Sequence, residues 1–193
     1  MNLKDLEEFK LDKNFLAKAE EFKKILQHWG KIHNLSAELE DEKIVNNIYD
    51  SIYVLKFIKD YETVADIGTG AGYPGLILAI ARPNTKFYLI EPRAKRVAFL
   101  NFVKNSLKLK NVEILCNRVE NVDNIKVELI TSRAVTNTAL LLDLTKDIST
   151  PTTSYLFYKG SMLESELEEA KIHKYEIVKR DERNYLYINR RMK

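Results

Sequence analysis

Val64-Ala65-Asp66-Ile67-Gly68-Thr69-Gly70-Ala71-Gly72 decides the fold. A short apolar run, Thr63 to Ile67, stops at a glycine-rich turn, residues 68–75. Leu76 to Ala81 then reads as a helix closed by Arg82-Pro83-Asn84. The glycines let the backbone turn tightly and bring a ligand close to the main chain, and the helix that follows offers free N–H groups at its start. Three details narrow the ligand. Asp66, two residues before the first glycine, suits a ligand that presents donors and would repel a pyrophosphate. The spacing is D-x-G-x-G-x-G and not the dinucleotide G-x-G-x-x-G. Glu91 ends the next strand, 19 residues after Gly72, where an acid can accept both hydroxyls of a ribose. S-adenosylmethionine, a cationic nucleoside without phosphate, meets all three. A tight structural turn followed by a surface glutamate is the alternative these residues leave open.

Outward from the loop, strands and helices alternate. Lys86 to Ile90, Val112 to Leu115, Val127 to Thr131 and Ser154 to Tyr158 read as strands. Arg93 to Leu107, about Asn137 to Lys146, and Met162 to Lys171 read as helices. Tyr175 to Lys179 and Tyr185 to Asn189 are strands too close for a crossover, so they form a hairpin. The fold class is therefore α/β. A mostly parallel, seven-stranded, Rossmann-like sheet carries helices on both faces and ends in a C-terminal β-hairpin, the architecture of class I S-adenosylmethionine-dependent methyltransferases. Upstream, Phe15, Ala19, Phe22, Ile25, Leu26 and Trp29 recur at helical spacing, with Gly30 placed to end the helix, and Asp41 to Lys59 repeats the pattern. His33 to Ala37 is a polar turn between them. Residues 1–62 are thus expected to be an N-terminal helical extension packed on the core, and residues 63–193 a methyltransferase domain.

At 193 residues, 45% hydrophobic and 31% charged, the chain is long enough for one domain with a modest extension and too apolar to be disordered. Cys116 is the one cysteine, which excludes a disulfide scaffold and suits a small buried residue. Its apolar runs fall short of the roughly 20 residues that span a bilayer, and Met1 to Lys13 has no signal-peptide core. A cytoplasmic monomer is expected. The net charge of +3 is unevenly spread: residues 1–62 hold 10 basic against 13 acidic groups, and residues 63–193 hold 21 against 15. The basic part coincides with the expected chemistry and hints at a polyanionic partner, although such a balance is common among soluble domains. Arg93, Lys95 and Arg96 open the basic stretch beside the loop and are the RNA-binding candidates, ordinary solubility charge being the alternative.

Several further motifs recur together. They are His33-Asn34-Leu35-Ser36-Ala37, Asp50-Ser51-Ile52, and the cofactor loop with its trailing Pro74-Gly75. Lys95-Arg96-Val97 with Phe99-Leu100, Arg118-Val119-Glu120, Ser132-Arg133-Ala134 and Lys159-Gly160 complete the set. Over nearly its whole length the sequence resembles the bacterial 16S rRNA guanine-N7 methyltransferases, historically the glucose-inhibited division protein B family. The resemblance implies that Gly68 and Tyr73 contact the cofactor, that Val119 and Glu120 flank its adenine, and that Arg133 sits near the methyl donor. It implies 7-methylguanosine in 16S rRNA as the product and the small ribosomal subunit as the partner. One departure stands out: the family usually has Arg-His where this chain has Asn46-Asn47.

The chemistry agrees. DNA-type amino methyltransferases place [DN]-P-P-[YF] after the fourth strand, where this chain has Thr131-Ser132-Arg133-Ala134. Pyrimidine carbon-5 methylation needs a cysteine nucleophile, and Cys116 stands outside any Pro-Cys motif. Guanine N7 carries a free lone pair and no proton, so alignment can supply most of the acceleration without a general base. Catalytic candidates are Ser132, Arg133 and Lys159, with Lys159 doubling as a phosphate contact. Asp66, Gly68, Gly70, Gly72, Tyr73, Glu91, Val119, Glu120 and Arg133 are the cofactor-binding candidates. An ion pair with Glu120 is the structural alternative for Arg133. Tyr73 is placed either to stack on a flipped-out guanine or to pack on the methionine moiety. His28, His33 and His173 lack metal-ligand spacing, so no metal is expected. A small-molecule methyltransferase and a non-catalytic RNA-binding assembly factor are the competing functions, the first disfavoured because so short a chain has little material for a lid.

Overall fold

The computed structural model describes Leu6, Phe9 and residues 11–33, 39–160, 163–170 and 172–190. Helices α1 (Phe15–His33) and α2 (Asp41–Tyr53) come first. Then follow β1 (Thr63–Ile67), α3 (Gly75–Ala81), β2 (Lys86–Ile90), α4 (Ala94–Ser106), β3 (Val112–Leu115) and β4 (Leu129–Arg133). The chain continues through α5 (Thr138–Leu144), β5 (Ser154–Lys159), α6 (Leu163–Ala170), β6 (Glu176–Arg180) and β7 (Arg183–Ile188).

The sheet order is β3-β2-β1-β4-β5-β7-β6. The first five strands pair in parallel because a helical segment or long connection separates each from the next. Only Asp181 and Glu182 separate β6 from β7, which forces an antiparallel hairpin, and β7 adds antiparallel to β5. The order steps outward from β1 in both directions. The crevice over the carboxyl ends of β1 and β4 is therefore a switch point, where open α/β sheets bind ligands.

Alternation along each strand divides the core into two layers. Val64 of β1 and Leu156 of β5 join α1, α2, α3 and α4 on one face. Ala65, Ile67, Tyr155 and Phe157 meet α5 and α6 on the other. The α1 stripe of Phe15, Ala19, Phe22 and Leu26 is fully buried, which makes the N-terminal helices part of the first layer. Phe22 meets Tyr73 edge-on at 5.6 Å, and Trp29 packs against Phe99 and Phe102 of α4 at 5.8 and 5.3 Å.

Several boundaries differ by a residue or more from the sequence expectation. Helix α1 runs through Gly30 to His33, and Leu39 packs into the space that a Cβ at Gly30 would need. Helix α2 stops at Tyr53, and a single 3-10 turn, Val54–Lys56, carries Val54 into the core. Strand β4 lies two residues later than expected. The Val127 amide bonds to the Ile148 carbonyl, so the ladder with β1 begins at Leu129 and Arg133 becomes the last strand residue. Cys116 is exposed at the end of β3 and is not a buried packing residue. No helix among the described residues is long and apolar enough to cross a membrane. The polar turn from Asn34 to Ala37 lies outside the described residues.

Candidate active site

The loop after β1 is held by its own backbone. Gly68 N–H donates to Ile90 O at 2.8 Å, tying the loop to the end of β2, and Gly72 and Tyr73 N–H groups both donate to Thr69 O. Gly68, Gly70 and Gly72 all have positive φ, at 66°, 61° and 101°. Asp66 is fully buried beneath the start of α3, where its Oδ2 accepts the Gly75 amide at 2.9 Å. A Cβ at residue 75 would stand 2.5 Å from the Asp66 Cβ, so only glycine permits this approach. Burial pushes the Asp66 carboxyl up to about 7, while the Thr69 hydroxyl, the Gly75 amide and the charge of Arg133 pull the other way.

A cleft of about 360 Å³ opens between this loop, the ends of β2 and β3, and the segment after β4. Glu91 forms its floor and is 2% exposed. Its Oε1 accepts the Arg93 amide at 3.0 Å, and its Oε2 accepts the Gly70 amide at 3.1 Å and Arg96 Nη1 at 3.4 Å. The walls include Ile67, Ile90, Val119, Glu120, Ala134 and Val135. Ala134 turns the chain with a φ of 54°, which lays Val135 over Gly68; a Cβ on that glycine would lie 2.6 Å from the valine methyl. A buried carboxylate suits a pair of ribose hydroxyls, and an apolar slot suits a purine ring. These residues therefore fit S-adenosylmethionine.

On the other side of the β4 end, Arg133 is clamped. Its Nη1 donates to Asn47 Oδ1 at 2.7 Å and lies 3.3 Å from Asp50 Oδ2, and the guanidinium covers the Tyr73 ring at 4.8 Å. Asp50 is 7% exposed; its Oδ1 accepts the Tyr185 hydroxyl at 2.7 Å and pairs with Arg183 Nε at 3.3 Å. The Tyr158 hydroxyl donates to Ser51 O at 2.7 Å. Helix α2 is thus bonded to β4, β5 and β7 at the functional end of the sheet.

The model of one family, described as rRNA small subunit methyltransferase G, matches residues 15–188. The chain belongs to this family. A ribosomal RNA small subunit methyltransferase G of Aliarcobacter butzleri is 65% identical over 179 residues, which cover 93% of this chain and 92% of the relative. One from Wolinella succinogenes is 43% identical over 91% of this chain and 90% of its own length. Among solved structures, a methyltransferase from Geobacter sulfurreducens superposes with a TM-score of 0.63 at 14% identity, covering 90% of this chain and 88% of its own. An S-adenosylmethionine-dependent methyltransferase from Aquifex aeolicus gives 0.58 at 22% identity, over 88% and 98%. At these identities the structural likeness speaks to the fold, which is the Rossmann-like class I methyltransferase fold.

For this member of the methyltransferase G family, the structure sorts the expected site residues. Gly68, Glu91, Val119 and Glu120 line the cleft, joined by Arg93 and Arg96. Lys95 is exposed at the start of α4. Six readings of these side chains differ in the structure. Asp66 faces the start of α3 and not the cleft, because strand alternation turns it to the opposite face from Ile67. Tyr73 is 6% exposed, with one ring face under Arg133 and its surround closed by Phe22, so it is no platform for a flipped base. The Ser132 hydroxyl donates to Ile67 O at 3.2 Å, across to β1. Lys159 is 7% exposed, and its ammonium donates to Glu166 Oε2 at 2.6 Å and Thr136 O at 2.9 Å, which removes it from phosphate. Arg96 turns inward to Glu91 instead of outward to RNA. Arg133 pairs with Asp50 and not with Glu120. The partners Asn47 and Asp50 escaped the sequence reading as site residues. Asp50 stands 83 residues from Arg133, and the available signals, its place in the Asp50-Ser51-Ile52 motif and the Asn46-Asn47 departure ahead of it, do not point to that arginine.

Proposed function

We propose that the protein transfers the methyl group of S-adenosylmethionine to N7 of a guanine in the 16S rRNA of the small ribosomal subunit. The observation that carries this reading is the Glu91-floored cleft at the switch point, with Arg133 clamped beside it, in a member of an rRNA methyltransferase family. When bound, S-adenosylmethionine supplies a methyl carbon already activated by its sulfonium. Glu91 would accept the ribose hydroxyls, and Val119 with Ile90 would pack the purine, since all three line the cleft. Arg133 meets the acceptor, guanine O6 or a neighbouring phosphate, and holds it in line. The nearby polar side chains are otherwise engaged: the Ser132 hydroxyl on a carbonyl, the Lys159 ammonium on Glu166. A ring nitrogen with a free lone pair requires neither, since no proton must be removed before attack. Mass mapping of 16S rRNA from cells lacking the gene tests the proposal. One 7-methylguanosine should vanish and return on complementation; its persistence at full level would overturn the assignment.

A further inference from the structure

We propose that Asn47 and Asp50 of α2 are positioning residues that set the orientation of Arg133, so that the N-terminal helices complete the active site as well as the core. The inference rests on Arg133 acting in methyl transfer. A lone arginine at a strand end would sample many rotamers, and each rotamer frozen only on substrate binding costs entropy. Here Nη1 of Arg133 is shared by two acceptors three residues apart on one helix, which puts both on the same helix face. The Tyr73 ring beneath, at 4.8 Å, fixes the plane of the guanidinium.

The carboxylate that orients Arg133 is itself held. Its other oxygen is occupied by Tyr185 and Arg183, both from β7, so Asp50 cannot swing with the arginine. The charges do not cancel. One carboxylate faces two guanidinium groups, Arg133 and Arg183, and Asn47 contributes a neutral amide oxygen. Among the described residues Nε and Nη2 of Arg133 make no hydrogen bond, so the clamp leaves donors and positive charge for an electron-rich acceptor. Asn47 holds the arginine without neutralising it, whereas Asp50 anchors the pair to the sheet.

The test is single-turnover methyl transfer from labelled S-adenosylmethionine to small subunits purified from cells lacking the gene. Asn47→Ala should lower the rate about ten-fold or more, as misplacement of an orienting group does, with the affinity for S-adenosylmethionine and the melting temperature little changed. Asn47→Gln, which keeps a neutral amide acceptor on the same helix face, should restore part of the loss, whereas Asn47→Asp, which adds a second carboxylate against the guanidinium, should not. Asp50→Asn should lower the rate in the same way, with its fold state checked separately by circular dichroism. The deciding measurement is a double-mutant cycle with Arg133→Lys. If Asn47 acts through Arg133, the second substitution should cost little once the first is present. Additive losses, or an Asn47→Ala enzyme with wild-type rate beside an inactive Arg133→Ala enzyme, would overturn the positioning role alone. A fully active Arg133→Ala enzyme would remove Arg133 from the chemistry, and the proposal with it.

Discussion

Asp66 is a carboxyl in an uncomfortable place. It is fully buried, receives the Gly75 amide, and titrates near neutrality at about 7, against about 3.9 for a solvated aspartate. Below pH 4 the folded and unfolded chains both hold the proton, and the contribution of this group to stability is complete. Between pH 4 and 7 the unfolded chain releases the proton first, so stability falls as pH rises through the folded value, and above it the loss is finished. The steepest slope for one group is about 1.4 kcal/mol per pH unit. Urea titrations at pH 5, 6, 7 and 8 should show this decline in the native sequence. Asp66→Asn, which keeps an acceptor for Gly75, should flatten it and leave the variant relatively more stable at pH 8. An unchanged profile would mean that the carboxyl is already ionised at pH 5. At the same scale, Arg133→Glu places a carboxylate against Asp50 and should abolish methyl transfer, read as label incorporated into small subunits.

At the scale of elements, what matters is which helix face meets which partner. Phe22 of α1 is fully buried between Tyr73 and Phe99, so it joins the N-terminal helices both to the glycine loop and to α4. Phe22→Ala should cost about 3–5 kcal/mol, measured as a shift in the urea midpoint. Lys159 and Glu166 fasten α6 to the start of α5, because Glu166 also accepts the Thr138 amide and hydroxyl at 2.9 and 2.8 Å. Removing the acid in Glu166→Ala strands a buried ammonium and should cost on the order of 3 kcal/mol by the same measurement. Local pattern was enough for most of these elements. The α1 stripe, the strand–glycine–helix turn at 63–81 and the closing hairpin are all written in residue spacing, and the structure has them within a few residues. Side-chain pairing was not readable in that way. Nothing in the spacing joins Asn47 to Arg133 across 86 residues, or shows that Lys159 turns in to meet an acid on the following helix. The same blindness explains Gly30, a residue that ends helices in isolation but serves here as a seat for Leu39.

At the scale of the whole molecule, charge is unevenly divided along the chain. Its net +3 comes from a mildly acidic N-terminal part and a basic remainder. The fold pairs several of those basic groups with acids, Arg96 with Glu91, Arg133 with Asp50 and Lys159 with Glu166, and largely buries the last two. The cations that stay exposed around the cleft are Arg93, Lys95 and Arg118, at the carboxyl ends of β2 and β3. RNA affinity from such groups depends on counterion release, so each phosphate contact adds about 0.7 to 0.9 to the slope of log affinity against log salt. Two lysines make opposite predictions here, although sequence alone treats them alike. Lys95→Gln should weaken binding to small subunits at all salt concentrations and make the slope shallower by somewhat less than one. Lys159→Met should leave the slope unchanged, because its ammonium already faces Glu166 and Thr136. Filter binding across a series of potassium chloride concentrations reads both slopes directly. Equal effects at the two positions would mean that the Lys159–Glu166 pair opens when RNA binds, and that the basic face extends across β5 to the hairpin.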